Sequence, residues 1–262
     1  MLWNDWRNYF ARRSTRPRPR IEDTIEIPPR WRPDLARTMA RLQLAETGEG
    51  RIVADLRRRA EDWQLCPELL ESLQSFVAEE GRHAAILGDA VRALGGRPIR
   101  RSWAATAFSR TRRLMGPRLE LMTLLAAEVG AQAMYGTLVE PLPHGPLRFA
   151  LEQIAADEAI HLRFHAALFG SVRPLADHRR TLLAVWTALA VAAGVTLALD
   201  HGRTLRRLGL RRARVVRRTL ESIVAMADSI DTAHRCGHAR TRAFESFHGP
   251  PPRRFAPTAP PG

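Results

Sequence analysis

Glu79-Glu80-Gly81-Arg82-His83 and Asp157-Glu158-Ala159-Ile160-His161 carry the same Glu-x-x-His spacing inside two apolar runs. Around the first, apolar side chains recur at steps of three and four between residues 73 and 94. Around the second they recur in the same way between residues 147 and 168. That spacing lines one face of an α-helix. Each motif is therefore predicted to lie in the middle of a core-facing row, on two different helices.

Two more stretches with this periodicity carry an acid on their apolar side. Glu128 falls in the same row as Leu121 and Leu124, without a following histidine. In the stretch that precedes both motifs, the row contains Glu46 and Glu49, one turn apart. Each of four helices is therefore expected to direct at least one glutamate inward.

Inward-facing acids need a partner, because an ionised carboxylate in a dry core is costly unless it takes up a proton or finds a cation. No basic residue shares these rows, so the acids and histidines cannot all neutralise one another. Glutamates and Glu-x-x-His pairs on the helices of one bundle are the ligand set for two metal ions. The predicted ligands are Glu80, His83, Glu128, Glu158 and His161, with Glu46 or Glu49 from the first helix.

Strand-like alternation is nearly absent, which predicts an all-α protein. Proline and glycine separate four helical stretches, at 34–60, 67–94, 117–140 and 146–169. Together these stretches predict a four-helix bundle domain at 34–170, after a basic aromatic extension at 1–33. An accessory region with an apolar helix and an arginine-rich helix follows at 175–240. The Pro-rich tail at 249–262 is expected to be disordered.

The two motifs and four further segments together resemble the characteristic sequence segments of the demethoxyubiquinone hydroxylase family. The further segments are Thr47-Gly48-Glu49, Leu94-Gly95-Gly96-Arg97-Pro98, Ala127-Glu128 and Leu151-Glu152-Gln153. The resemblance covers about residues 35–170. It implies a ferritin-like four-helix bundle, to which this chain adds N- and C-terminal helices. It also favours Glu49 over Glu46 as the first-helix ligand.

The resemblance implies a chemistry as well, since members of that family are di-iron, membrane-associated monooxygenases acting on a polyprenylated quinol. This chain is therefore expected to hold two Fe ions, with Mn as the alternative, and to use dioxygen on a small, hydrophobic substrate such as a quinone or isoprenoid. Glu80 and Glu158 would bridge the ions, and Glu49 and Glu128 would be terminal ligands. No nucleotide-binding fingerprint occurs, so electrons are expected from an external reductase or a reducing substrate.

The segments that flank the bundle predict further contacts. Aromatic residues at helical spacing near the N-terminus indicate a short helix that either docks at an interface or packs on the chain's own core. Residues 181–199 carry no charge and approach the roughly 20 residues that span a bilayer, but their alanine and glycine content favours a buried helix. The arginine-dense helix at 203–233 suits peripheral contact with anionic lipid, which co-sedimentation with liposomes would test.

The net charge of +14 alone would suggest nucleic acid or an anionic membrane surface as a partner. All 41 basic residues are arginine, however, and such a bias in composition weakens that inference. Nucleic-acid binding through 203–218 is an alternative that is not expected, because it leaves the buried acids unexplained. Two distant cysteines, Cys66 and Cys236, and the lack of an apolar secretion signal favour the cytoplasm, with peripheral contact on the inner membrane face.

Some residues and one other function remain as alternatives. His165 and Tyr135 follow the second motif and the lone glutamate by one and two turns, where they could assist the metals but are more typical of core packing. His234, Cys236 and His238 have ligand-like spacing and are not expected to bind. A ferritin-like ferroxidase or iron-binding protein would share all six ligands, and assembly into a large shell would distinguish it.

Overall fold

A computed structural model describes residues 3–21, 26–47, 50–114, 116–171 and 179–236. Every regular element in those ranges is an α-helix, which confirms the all-α prediction. The helices are α1 (Trp3–Ser14), α2 (Arg32–Ala45), α3 (Gly50–Arg58), α4 (Pro67–Ala93), α5 (Trp103–Leu114), α6 (Gly116–Val139), α7 (Pro146–Ser171), α8 (Arg179–Asp200), α9 (Gly202–Arg207) and α10 (Arg212–Cys236).

Helices α2, α4, α6 and α7 surround a common interior. α2 packs along α4, α6 packs along α7, and α4 contacts α7. Apolar side chains fill this interior in two clusters, one of which contains Leu87 and Ile154 while the other contains Phe76 and Phe164. In both α4 and α7 the Glu-x-x-His motif lies between these positions along the helix, so the polar residues occupy the space between two apolar clusters.

The predicted bounds of three bundle helices agree with α4, α6 and α7 to within two residues. The prediction of one helix over 34–60 is wrong, because α2 ends at Ala45 and α3 begins at Gly50. Residues 47–50 contain two glycines, and glycine disfavours a helix by about 1 kcal/mol relative to alanine. The Thr47 hydroxyl also donates a hydrogen bond to the Leu44 carbonyl at 2.7 Å, which helps to end α2.

The N-terminal helix α1 packs on the chain's own core, along α4. Trp6 and Phe10 are buried, and the Phe10 ring meets Phe76 and Phe164 edge-on, with centroids 5.6 and 5.0 Å apart. Such aromatic pairs are favourable beyond the apolar area that they bury. Of the two interpretations of the aromatic extension, packing on its own chain is the one found in the structure.

The turn that follows α4 holds α2 against it. Gly95 has a φ of +76°, a left-handed conformation that glycine adopts without strain. The amide of Gly96 then donates to the Val91 carbonyl at 2.8 Å, which closes the helix. A Cβ atom on Gly96 would lie 2.7 Å from the Cβ of Ala36, so this position must be glycine for α2 to approach so closely.

The C-terminal helices pack on the bundle. The uncharged stretch 181–199 forms most of α8, which contacts α6 and α10 and buries Trp186. A Cβ on Gly194 would lie 2.5 Å from Oγ1 of Thr219, so glycine permits the close approach of α8 and α10. None of the described helices combines the length and the apolar character that crossing a bilayer requires.

Outside the bundle, one prediction needs correction and one helix was not predicted. The expected single helix over 203–233 is instead α9 and α10, because Gly209 adopts a φ of +74° between them. Helix α5, which contacts α6 and α8, was not predicted. The 249–262 tail and His238 lie outside the described residues, as do the side chains of His234 and Cys236.

Candidate metal centre

The two Glu-x-x-His motifs meet in the interior between α4 and α7. Glu80 and His83 come from α4, Glu158 and His161 come from α7, and all four side chains are buried. One potential ligand atom from each residue lies within 4.8 Å of those from the other three. The i, i+3 spacing places each glutamate and its histidine on the same side of a helix, which is why both pairs reach one spot.

Within this cluster each glutamate faces both histidines. Nδ1 of His161 lies 2.8 Å from Oε1 of Glu80 and 3.3 Å from Oε2 of Glu158. Nδ1 of His83 lies 3.3 Å from Oε1 of Glu158 and 3.9 Å from Oε1 of Glu80. The two rings stack with centroids 5.4 Å apart. The two oxygens of Glu158 therefore face different histidines.

Helix α6 contributes the lone glutamate, as the sequence predicts. Oε2 of Glu128 lies 3.9 Å from Nδ1 of His161, and its side chain is 11% exposed. Burial, together with the negative charges of Glu158 and Glu80, raises the pKa of Glu128 well above its ordinary value. This carboxyl therefore favours the neutral form unless a cation joins the cluster.

The acid that α2 brings to the site is Glu46, which follows the last residue of the helix. It is buried and accepts a hydrogen bond from the hydroxyl of Tyr135. Burial, followed by the charge of Glu46, raises the pKa of Glu80 well above its ordinary value, so the two carboxyls interact directly. Glu49 lies outside the described residues, and its role as a ligand stays a prediction.

Five atoms at the centre of the cluster lie close to one another but make no well-aligned hydrogen bond among the described residues. They are Oε1 of Glu80, Nδ1 of His83, both carboxylate oxygens of Glu158 and Nδ1 of His161. A buried polar atom without a partner costs roughly 1–3 kcal/mol, and native proteins contain few of them. Five such atoms that face one another indicate a site that a cation would fill.

A second pair of acids accepts hydrogen bonds from the outer ring nitrogens of the two histidines. Each of these acids lies on the other helix of the pair from its histidine. Nε2 of His161, on α7, lies 3.1 Å from Oε2 of Glu79 on α4. Nε2 of His83, on α4, lies 3.3 Å from Oδ2 of Asp157 on α7. An ionised carboxylate only accepts hydrogen bonds, so each Nε2 carries a proton and donates it. In the neutral rings the Nδ1 lone pairs are then free for a metal, a common arrangement in metal sites.

Glu79 and Asp157 were not among the predicted site residues, although each directly precedes a motif glutamate. The repetition of an acid at the same position in both motifs was the signal that could have found them. Arg13 of α1, whose guanidinium pairs with both acids, was not predicted either. No sequence pattern around Arg13 predicts this pairing, because the contact depends on how α1 docks against α4.

The histidine and glutamate of the second motif stabilise each other's charge. Burial opposes the charged form of His161, yet Glu80 and Glu158 raise its pKa well above the ordinary value. Burial would likewise raise the pKa of Glu158, but the positive charge of His161 holds it below its ordinary value. The neighbouring carboxylates therefore favour a positive charge at this position of the cluster.

The two auxiliary candidates differ in their surroundings. Tyr135 lies at the site, hydrogen-bonded to Glu46, and burial together with that acid raises its pKa well above its ordinary value. His165 is buried beside Phe76 and Phe164, and neither ring nitrogen has a partner among the described residues. Burial, assisted by the charge of His161, lowers the pKa of His165 to about 3. It is therefore neutral, as a packed core histidine would be.

The cluster is rich in acidic groups. Four glutamates, Glu46, Glu80, Glu128 and Glu158, are buried around it, and a bound cation would offset their negative charge. The donors are carboxylate oxygens and imidazole nitrogens without any thiolate. That set suits iron or manganese and does not favour soft metal ions. The buried cluster can thus hold a metal ion.

Comparisons of the chain with protein-family models, with curated proteins and with solved structures found no match. The geometry of the cluster and the two motifs are therefore the observations that bear on function.

Proposed function

We propose that this chain is a ferritin-like di-iron oxidoreductase that uses dioxygen to hydroxylate a small, hydrophobic substrate such as a quinone or an isoprenoid. The proposal depends above all on the unpartnered carboxylate and Nδ1 atoms that converge in the buried interior. Two Glu-x-x-His helices together with two helices that carry a lone glutamate match the ligand pattern of dimetal bundles. The resemblance of residues 35–170 to the demethoxyubiquinone hydroxylase family supports oxygen chemistry at such a site.

The proposed ligands have different roles. Each oxygen of Glu158 lies 3.3 Å from the Nδ1 atom of a different histidine, which suits a carboxylate that bridges two ions. Oε1 of Glu80 also faces both rings. Glu128 and the first-helix acid would be terminal ligands, since each approaches the cluster from its edge.

Two ferrous ions in this site would supply the electrons and the open coordination positions that dioxygen activation needs. The chain's own part is to orient the donors and to exclude water. The outward Nε2–H bonds of His83 and His161 direct both Nδ1 atoms inward. Phe10 and Phe76 close the site beside His161, with ring centroids 5.7 and 4.8 Å from the imidazole.

Access to the centre is proposed along α6. The side chain of Glu128 is 11% exposed, whereas those of Glu80, Glu158 and His161 are 2% exposed or less. Two turns further along α6, the buried Tyr135 hydroxyl donates a hydrogen bond to Glu46, and its raised pKa keeps the phenol protonated. Substrate and dioxygen would therefore approach the more exposed edge of the cluster at Glu128.

The partners follow from the chemistry. Electrons would come from an external reductase or a reducing substrate, in the cytoplasm or on the inner membrane face. Exposed apolar side chains on α8 and α10, such as Leu199 and Val224, would suit peripheral contact with lipid. Nucleic acid is not an expected partner.

Metal analysis tests the proposal. Full-length protein reconstituted anaerobically with ferrous iron should retain about two ions per chain, and manganese should be measured in parallel. Exposure to oxygen in the presence of a short-chain quinol should then consume oxygen and hydroxylate the quinol. A Glu80→Gln, Glu158→Gln double variant should lose both properties, whereas Thr38→Val, whose hydroxyl bonds His201 and Thr204 and not the cluster, should keep them. Folded wild-type protein that retains no metal would refute the proposal.

The same experiment separates hydroxylation from iron oxidation. A ferroxidase shares the ligands but oxidises iron as its substrate, so the iron content per chain would rise well above two and oxygen uptake would need no organic substrate. A large assembly in size-exclusion chromatography would point in the same direction. A fixed content of two ions with substrate-dependent oxygen uptake supports the hydroxylase.

A further inference from the structure

Outside the ligand cluster, Glu79 and Asp157 each divide their two oxygens between a histidine and Arg13. Oε2 of Glu79 accepts from Nε2 of His161, and Oε1 lies 3.3 Å from Nε of Arg13. Oδ2 of Asp157 accepts from Nε2 of His83, and Oδ1 pairs with a terminal nitrogen of Arg13. One guanidinium on α1 thus contacts both carboxylates that bind the two histidines.

The charges around this outer layer make Arg13 hard to replace. The side chains of Glu79 and Asp157 are 0% and 1% exposed, whereas that of Arg13 is 25% exposed. Two buried anions side by side repel each other unless a cation lies between them. Arg82 also carries a positive charge near both acids, but its nearest nitrogen is 3.9 Å from Asp157, farther than Arg13 is from either acid. The planar guanidinium of Arg13 presents several donors at once, which a lysine ammonium cannot match.

We propose that Arg13 is a positioning residue of the metal centre. It fixes Glu79 and Asp157 in the orientation in which they accept the Nε2–H bonds of His161 and His83, and so it keeps both Nδ1 atoms directed at the ions. Carboxylates that orient metal-binding histidines in this way typically change metal affinity by 10–100-fold when they are altered. The effect on metal affinity rests on the proposed function, but the hydrogen bonds themselves do not.

This role makes the site dependent on the N-terminal helix. α1 is anchored by Trp6 and Phe10, and the segment that follows it is held by hydrogen bonds from Arg82 to the carbonyls of Arg16 and Pro17, at 3.0 and 3.1 Å. Arg13 reaches the two acids only when this anchoring is in place. Docking of α1 and tight metal binding should therefore be linked.

A matched pair of variants tests the proposal in the full-length protein. Arg13→Gln removes the guanidinium at the site. Arg7→Gln is the control, because Arg7 lies on the same helix and pairs with Glu71 of α4 at 2.7 Å, in a half-exposed position away from the histidines. Arg13→Lys keeps the positive charge but removes the planar group that presents several donors at once. Circular dichroism and thermal unfolding establish that each variant is folded.

The first readout is titration with Co²⁺, followed through its ligand-field absorption. Arg13→Gln should bind Co²⁺ at least tenfold more weakly than wild type, with a changed spectrum, and Arg13→Lys should fall in between. Arg7→Gln should keep the wild-type affinity and spectrum. Wild-type affinity in Arg13→Gln would overturn the proposal. An equal loss in Arg13→Gln and Arg7→Gln would also overturn it, since the residue would then act only through the α1–α4 interface.

The second readout needs no metal. Long-range ¹H–¹⁵N spectra of the imidazoles at one fixed pH show which ring nitrogen carries the proton and how strongly it is hydrogen-bonded. Arg13→Gln should shift the Nε2 signals of His83 and His161 and leave those of His201 unchanged; unchanged signals at all three would overturn the proposal.

If wild-type protein fails to bind Co²⁺, the proposed function fails, and these spectra still decide the role of Arg13. If Arg13→Gln does not fold, Arg13→Lys decides, and wild-type affinity and spectra would count against the proposal.

Discussion

His161 and His201 are buried to the same degree, yet their surroundings differ. His201, at the junction of α8 and α9, lies in a chain of hydrogen bonds that the protein completes by itself. The Thr204 hydroxyl donates to the Asp34 carbonyl at 2.9 Å, the Thr38 hydroxyl donates to Thr204 at 2.8 Å, and Nδ1 of His201 lies 3.0 Å from the Thr38 oxygen. Because the Thr38 proton is already used, Nδ1–H of His201 is the donor.

In the Glu/His cluster between α4 and α7, the protein does not complete such a chain of hydrogen bonds. The outer nitrogens of His83 and His161 have carboxylate partners, but their inner nitrogens and three facing carboxylate oxygens do not. Burial also acts differently on the two histidines, since it lowers the pKa of His201 to about 3 while the acids around His161 raise its pKa. Burial alone therefore does not indicate a metal site. The diagnostic feature is a set of polar atoms that other protein atoms leave unmatched.

The largest effect expected from this contrast is stabilisation by metal. At a free Co²⁺ concentration about 1,000 times the dissociation constant, the free energy of unfolding should rise by about 4 kcal/mol, because only the folded chain assembles the site. Urea unfolding with and without Co²⁺ measures this rise. The Glu80→Gln, Glu158→Gln double variant should lose it, and a Thr38→Val variant should keep it. Equal stabilisation of wild type and double variant would show that the metal binds elsewhere.

The sequence predicts which glutamates and histidines come together at the site, but it does not predict the residues that hold them in place. Glu80, His83, Glu128, Glu158 and His161 could be found because helical periodicity fixes which residues share a face, and a local repeat fixes their neighbours. The break after Ala45 was missed, although glycines mark it, because the apolar spacing continues through it.

The remaining features depend on tertiary contacts between distant parts of the chain. The crosswise bonds from Glu79 to His161 and from Asp157 to His83 require the relative rotation of α4 and α7. The position of Arg13 requires the docking of α1, and that of Glu46 requires the point at which α2 ends. None of these follows from a pattern within one helix.

A smaller effect concerns stability in acid, because the burial of His201 makes the folded protein less stable as the pH falls. Burial, with the charge of Arg41, lowers its pKa to about 3 in the folded chain, whereas an unfolded histidine titrates near 6.5. Between these values the unfolded state binds more protons, so the free energy of unfolding falls as the pH falls, by at most about 1.4 kcal/mol per unit. The stabilisation is complete above about pH 6.5.

Urea unfolding of metal-free protein between pH 6.5 and 4 measures this slope. His201→Gln should flatten it by up to the amount for one histidine. Thr38→Val should lower stability but keep the slope, because the ring is still buried. The same slope in wild type and His201→Gln would mean that the ring is accessible to protons in the folded chain.

The smallest effect distinguishes the two first-helix acids. Glu46→Gln should weaken Co²⁺ binding about tenfold, or about 1.4 kcal/mol, because the carboxyl of Glu46 interacts directly with that of Glu80. Tyr135→Phe, which removes only the hydrogen bond to Glu46, should weaken binding about two- to fivefold, the effect of roughly 0.5–1 kcal/mol. Glu49→Gln should leave the affinity within about twofold. The reverse order would make Glu49 the ligand, as the family resemblance implies, and would reduce Glu46 to a neighbouring acid that raises the pKa of Glu80.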